Sequence, residues 1–170
     1  MAGPFRARPW LSALAALLLA LVQATGAGAG EKKVIGAVEQ VTVGEAGLPF
    51  LARVDSGARV CSIHATSIRV EEGGSPELAE NVGKEISFRV ENARGDDVKL
   101  RATLEKIMVV RSAVGTEERP AVYLTLESQG VKKKVLVSLR DREEMDYKLL
   151  LGRNWLEGDF LVDVSRNATE

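Results

Sequence analysis

Arg53-Val54-Asp55-Ser56-Gly57-Ala58 is the stretch whose residue types and order point most directly to chemistry: an apolar strand ending in a carboxylate, a hydroxyl and a glycine. In a tight turn Gly57 lets the backbone approach closely or take a positive φ, and Ser56 can hydrogen-bond back to the main chain. Such a turn would hold Asp55 in a fixed orientation at the mouth of a sheet. A second stretch answers it downstream, Leu149-Leu150-Leu151-Gly152-Arg153-Asn154, an apolar run that closes on a glycine before an amphipathic turn. Two carboxyl groups about 3 Å apart can share one proton, so that one activates water while the other donates to a carbonyl. With one Asp-Ser-Gly turn in the chain, such a pair requires two chains meeting at a two-fold axis. The plainer alternative is that Asp55 caps its own turn.

Other chemistries find less material. His64 and Cys61 are the sole histidine and cysteine, whereas a catalytic zinc site needs three protein ligands and usually a His-rich motif. No Gly-x-x-x-x-Gly-Lys-Ser/Thr loop occurs to cradle phosphates. We therefore expect no cofactor and no metal. Lysine and arginine total 23 against 24 acids, a net charge of −1, and no broad basic patch of the kind that binds nucleic acid is apparent. One cysteine excludes an intramolecular disulfide. Cys61 is then a buried small hydrophobe or a thiol that pairs between chains.

The elements that must position Asp55 read as strands. Val34 to Val43 and Leu48 to Val54 flank a Gly44-to-Gly47 turn and suggest a hairpin. Val60 to His64 and Thr66 to Val70 continue the sheet, and the breaker-rich Glu71 to Asn81 is a loop. Lys84 to Glu91 alternates with period two, turns at Asn92 to Asp97, and returns over Val98 to Val110. Val114 to Arg119 reads as a loop. Ala121 to Leu126 and Val131 to Leu139 form a hairpin around Gln129-Gly130, and Arg140 to Asp146 is a charged segment with the makings of a helical turn. Many short strands and almost no helical periodicity predict an all-β fold, a small barrel or sandwich.

Residues 1–29 stand apart from the domain at 30–170. Arg6 and Arg8, the apolar run Leu11 to Val22 and the small residues Ala27-Gly28-Ala29 have the order of a secretory signal peptide cleaved before Gly30. An exported, periplasmic protein that meets the membrane only through this leader is expected.

Taken together, the Asp55 and Gly152 stretches resemble the active-site signature of retropepsin-like aspartic peptidases, an Asp-Ser/Thr-Gly-Ala turn paired with an apolar-apolar-Gly-Arg segment. With Arg59, the run Ser62-Ile63-His64-Ala65 and the segment Arg142 to Arg153, the chain is similar to a bacterial branch described as ATP-dependent zinc proteases. The resemblance implies a retropepsin-like barrel, closed or partly open, and a homodimeric aspartic-type peptidase or amidase acting on peptide-like bonds. Asp55 would be the catalytic carboxylate, with Ser56, Gly57, Ala58, Gly152 and Arg153 as its support. Arg59 stands where retropepsins usually carry an acid that binds the Gly-Arg arginine, so that ion pair cannot form in the same way. Arg59 and His64 would instead face substrate, Arg59 as a bidentate fork for a carboxylate. Members of this branch are often associated with glutamate ligases of the ATP-grasp type, which implies such a partner. The stretch between Lys84 and Val110 could be a flap, a dimerisation arm or a lid that leaves a binding module without turnover.

Overall fold

The computed structural model describes residues 31–112 and 115–166; the expected leader lies outside them. Strand β1 (Lys33–Ile35) is short, and Gly36 separates it from β2 (Val38–Val43), where a single strand was expected. Across this break Val54 N–H donates to Ala37 O at 2.9 Å and Ala37 N–H to Arg166 O at 2.9 Å. The chain therefore changes partners here. A turn with Gly47 at φ 64° joins β2 to β3 (Leu48–Val54), and the two pair antiparallel from Val43↔Leu48 to Val38↔Arg53.

Strand β4 (Cys61–Val70) is continuous, with a register shift between Thr66 and Arg69 where Ser67 has φ 52°. That irregularity explains why the sequence reads as two short strands. After a 3-10 turn at Leu78–Asn81 come β5 (Glu85–Glu91), β6 (Asp97–Thr103), β7 (Lys106–Ser112), β8 (Gly115–Ser128), β9 (Val131–Arg140) and β10 (Leu149–Leu151). Helix α1 (Arg153–Leu156) and β11 (Phe160–Val162) complete the chain.

The sheet closes on itself. β3 pairs with β2, β2 with β8, β8 with β9, β9 with β4, β4 with β10 and β10 with β3. This ring is an all-β barrel, and closure removes the free edges that an open sheet would expose. Its interior is filled by Val41, Phe50, Ile63, Leu124, Val137 and Leu149, all buried. Trp155 stacks on Phe160 with ring centroids 4.3 Å apart and donates to Leu126 O at 3.3 Å, tying α1 and β11 to the wall. β11 pairs in parallel with β1, Val34 opposite Leu161.

Strands β5, β6 and β7 lie outside the ring. The outer half of β4 carries β5 and then β6. β7 does not prolong β6, contrary to the expected single arm from Val98 to Val110. Leu104 is fully buried, but Glu105 and Lys106 are both exposed, so the alternation slips and the chain turns. Glu105 N–H donates to Ala121 O at 2.9 Å, and β7 pairs with the first half of β8, from Lys106↔Ala121 to Ser112↔Gly115. Residues 115–119, expected in a loop, are thereby strand. The charged segment after Arg140 forms turns rather than a helix.

Candidate active site

Asp55 follows directly on β3, and its N–H donates to Leu151 O of β10 at 3.0 Å. Its own Oδ1 accepts from Gly57 N–H at 2.9 Å and Ala58 N–H at 3.2 Å. The carboxylate, rather than the Ser56 hydroxyl, thus takes up the donors of the turn and is oriented by main chain. A Cβ on Gly57 would stand 3.1 Å from that oxygen, so the glycine permits the close approach.

Beneath the turn, the Gly152 segment crosses the Val60 segment. A Cβ at Gly152 would fall 2.6 Å from Val60 C and 2.7 Å from Val60 O, distances that backbone atoms cannot relieve. Arg153 N–H donates to Ala58 O at 2.8 Å and Asn154 N–H to Arg59 O at 3.2 Å. The Arg153 guanidinium reaches the carbonyls of Ser56 and Gly57, both at 3.0 Å. With arginine rather than an acid at position 59, Arg153 grips the turn by its backbone. Asn154 accepts from Cys61 N–H at 3.0 Å and donates to Leu136 O at 2.8 Å.

Cys61 sits inside this crossing, fully buried. Its sulfur accepts from Gly152 N–H at 3.3 Å and lies 3.3 Å from Asn154 Oδ1. Burial pushes the thiol pKa up to about 11. It is a protonated structural group, out of reach of another chain.

The remaining expected site residues divide. Arg59 and Ser56 are exposed beside the turn. His64 is buried, its Nδ1 accepting from Arg142 N–H at 2.8 Å, which fixes the Nε2–H tautomer. Asp141 approaches that same Nδ1 at 3.5 Å, but an acceptor nitrogen makes no ion pair in this state. His64 thus holds main chain at the root of the loop after β9.

That loop carries a residue that sequence reasoning did not single out. Arg142 is buried and donates from Nε to Tyr147 O at 3.0 Å. Burial, then the neighbouring Arg140 and Arg119, lower its pKa; the Asp55 carboxylate acts in the opposite sense. Arg119 and Arg140 converge as well, because continuing the β8–β9 register two residues past Ala121↔Ser138 sets them across from each other. Glu117 lies between them, 2.6 Å from Arg119 and 3.5 Å from Arg140. Arg119 Nε is buried with no hydrogen-bond partner among the described residues. Arg119 and Arg140 thus neighbour Arg142, which itself feels the Asp55 charge. The alternation of Arg140 and Arg142 at the end of β9 was a usable signal; the opposition of Arg119 depended on a register that the sequence does not reveal.

Among the described residues no group of three or more His, Cys, Asp or Glu side chains is arranged to hold a metal ion. A groove of about 300 Å³ between Phe50, Leu51 and the turn at Asn92 to Arg94 involves none of the site residues.

A closed β barrel, with an Asp-Ser-Gly turn locked over a Gly-Arg crossing, defines the retropepsin-like class of aspartic peptidase folds. Residues 34–170 match the family described as RimB-like, the retropepsin-like aspartic endopeptidase RimB. The chain belongs to that family. The zinc and ATP in the name of the branch it resembles gain no support from the match. A Legionella pneumophila protein of unknown function shares the fold with a TM-score of 0.63 and 26% identity, over 80% of this chain and 96% of that one. Two proteins named probable alpha-L-glutamate ligase are similar in sequence. The one from Desulfotalea psychrophila is 29% identical over 78% of this chain and 28% of its own length. The one from Shewanella pealeana is 30% identical over 80% of this chain and 29% of its own. The chain thus spans less than a third of these relatives.

Proposed function

We propose that the protein is an aspartic-type endopeptidase that works as a homodimer and cuts acidic, glutamate-rich peptides. The observation that carries this reading is Asp55, whose Oδ1 is fixed by the Gly57 and Ala58 N–H groups above a crossing that only glycine fits. Two such carboxylates facing each other across a two-fold axis would share a proton. One then takes a proton from water as it attacks the peptide carbonyl, and the other donates to the carbonyl oxygen. Val34 and Leu161, cross-strand neighbours in the pair of strands β1 and β11, are both exposed. They supply an apolar surface for the second copy.

The substrate class draws on two observations: Arg142, which feels the Asp55 charge and has Arg140 and Arg119 as neighbours, and relatives named for glutamate ligation. A glutamyl peptide is the chemical product of such a ligase, so functional association with one belongs to the proposal. So does export, on the strength of Arg6, Arg8 and the apolar run that follows; the secreted form should begin at Gly30, which N-terminal sequencing of a periplasmic fraction checks. A second reading, a binding module without turnover, is favoured by relatives that are named for glutamate ligation and not for peptide cleavage.

The test compares wild type with Asp55→Asn on a glutamate-rich peptide. The amide still accepts from Gly57 and Ala58, so the fold should survive while cleavage falls to background. Leu161→Asp should yield monomers by sedimentation and lose cleavage too. Binding without cleavage in dimeric wild type would leave the module reading in its place.

A further inference from the structure

We infer that Glu117 is a built-in competitor for the substrate's acidic side chain, seated on the arginine pair that an incoming carboxylate would take. The inference rests on the acidic-substrate reading above and adds to it how the site is occupied at rest.

The seat follows from strand geometry. Arg119 and Arg140 stand two residues beyond the last pair of the β8–β9 ladder, Ala121↔Ser138, where the continued register would set like charges opposite each other, an arrangement that destabilises a sheet. One carboxylate between them relieves this, and Glu117, two residues before Arg119 on the same face of β8, provides it. Both contacts use the same oxygen: Oε2 lies 2.6 Å from Arg119 NH2 and 3.5 Å from Arg140 Nε.

The grip is incomplete. A guanidinium binds a carboxylate best through two parallel N–H bonds, yet Arg119 Nε is buried and without a partner among the described residues. A substrate carboxylate that engaged Nε and NH2 together would satisfy the donor that Glu117 leaves open. Glu117 is also free to leave. Its side chain is 44% exposed against 13% for Arg119. Its segment of β8 pairs with β7, Glu117 opposite Val110, outside the closed ring. The Arg119 hydrogen bond, with the charges of Arg119 and Arg140, holds Glu117 below the usual carboxylate range, so it competes as an anion at neutral pH.

Binding can be read without turnover. In the full chain carrying Asp55→Asn, penta-glutamate is titrated by calorimetry with and without Glu117→Gln, and penta-glutamine serves as the uncharged control. Removing the competitor should tighten penta-glutamate by about fivefold, the scale of an exposed ion pair, and leave penta-glutamine unchanged. The Arg119 Nε–H resonance should shift as peptide is added. Equal or weaker binding by a Glu117→Gln variant that is still folded, with a single cooperative melt well above the titration temperature, would overturn the inference and leave the substrate class standing. If neither protein binds penta-glutamate, the acidic-substrate reading falls and the inference falls with it. Glu117→Ala, judged by the same outcomes, replaces Glu117→Gln should that variant misfold.

Discussion

The crossing under Asp55 and the arginine cluster beside it are built on opposite principles. At the crossing, main-chain groups do most of the work: the Gly57 and Ala58 N–H groups hold the Asp55 carboxylate, Gly152 lies against the Val60 backbone, and the Ala58 carbonyl takes the Arg153 N–H. In the cluster, long charged side chains from β8, β9 and the following loop meet with one donor unfilled. A group that must not move is held by backbone, and groups that must exchange partners are held by charge. The contrast predicts steep, fold-wide penalties at the first region and graded, salt-sensitive effects at the second.

The largest effect is expected from Gly152→Ala. Its Cβ would meet Val60 backbone at 2.6 Å, and overpacking against atoms that cannot yield should remove about 3 kcal/mol or more of stability, measurable by urea denaturation if the variant folds at all. Next is the thiol at the same crossing. Buried and raised to about 11, Cys61 should react with Ellman's reagent at pH 8 roughly a hundredfold or more slower than a free thiol, until denaturant opens the barrel. Fast reaction in native protein would mean that the crossing opens locally and the contrast is overdrawn.

In the cluster, Arg142→Gln should raise KM for a glutamate-rich peptide about tenfold, the scale of a charge-assisted hydrogen bond, with the loss shrinking at high salt. A fall in kcat alone would move Arg142 from binding to the orientation of Asp55. The smallest effect concerns pH. Glu117 has a lowered folded pKa, the Arg119 hydrogen bond being the largest cause. Its contribution to stability is therefore present above the ordinary carboxylate range and lost as pH falls through the folded value. Thermal melts should show wild type slightly ahead of Glu117→Gln at pH 7 and level with it near pH 3.

Local signals made the barrel legible in the sequence. Ile86, Phe88 and Val90 alternate cleanly and form β5, and Gln129-Gly130 marks the turn between β8 and β9. The two motif stretches, read as a pair, are brought together by β10 lying beside β3, Leu151 against Val54. The first half of β8 was illegible for a physical reason. Gly115-Thr116-Glu117-Glu118 is exposed throughout, so no burial period betrays this half of the strand, which pairs with β7. The same opacity hid the cluster, since Arg119 belongs to that half-strand and meets Arg140 only through its register. His64 shows the converse limit. A lone histidine in the sequence gives no hint that its ring accepts from the backbone of Arg142.

The ring has a consequence for how the chain folds as it is made. Its closing piece, β10, contributes only Leu149 to Leu151, yet it joins β3 on one side and β4 on the other. Until it is synthesised, both of those strands keep an unpaired edge, and Gly152 has not yet crossed Val60. A nascent chain stopped at residue 148 would therefore be an open, sticky sheet rather than a smaller barrel. Barrel closure should wait for residues 149–152 to emerge, a slow, long-range step to which three leucines commit the chain.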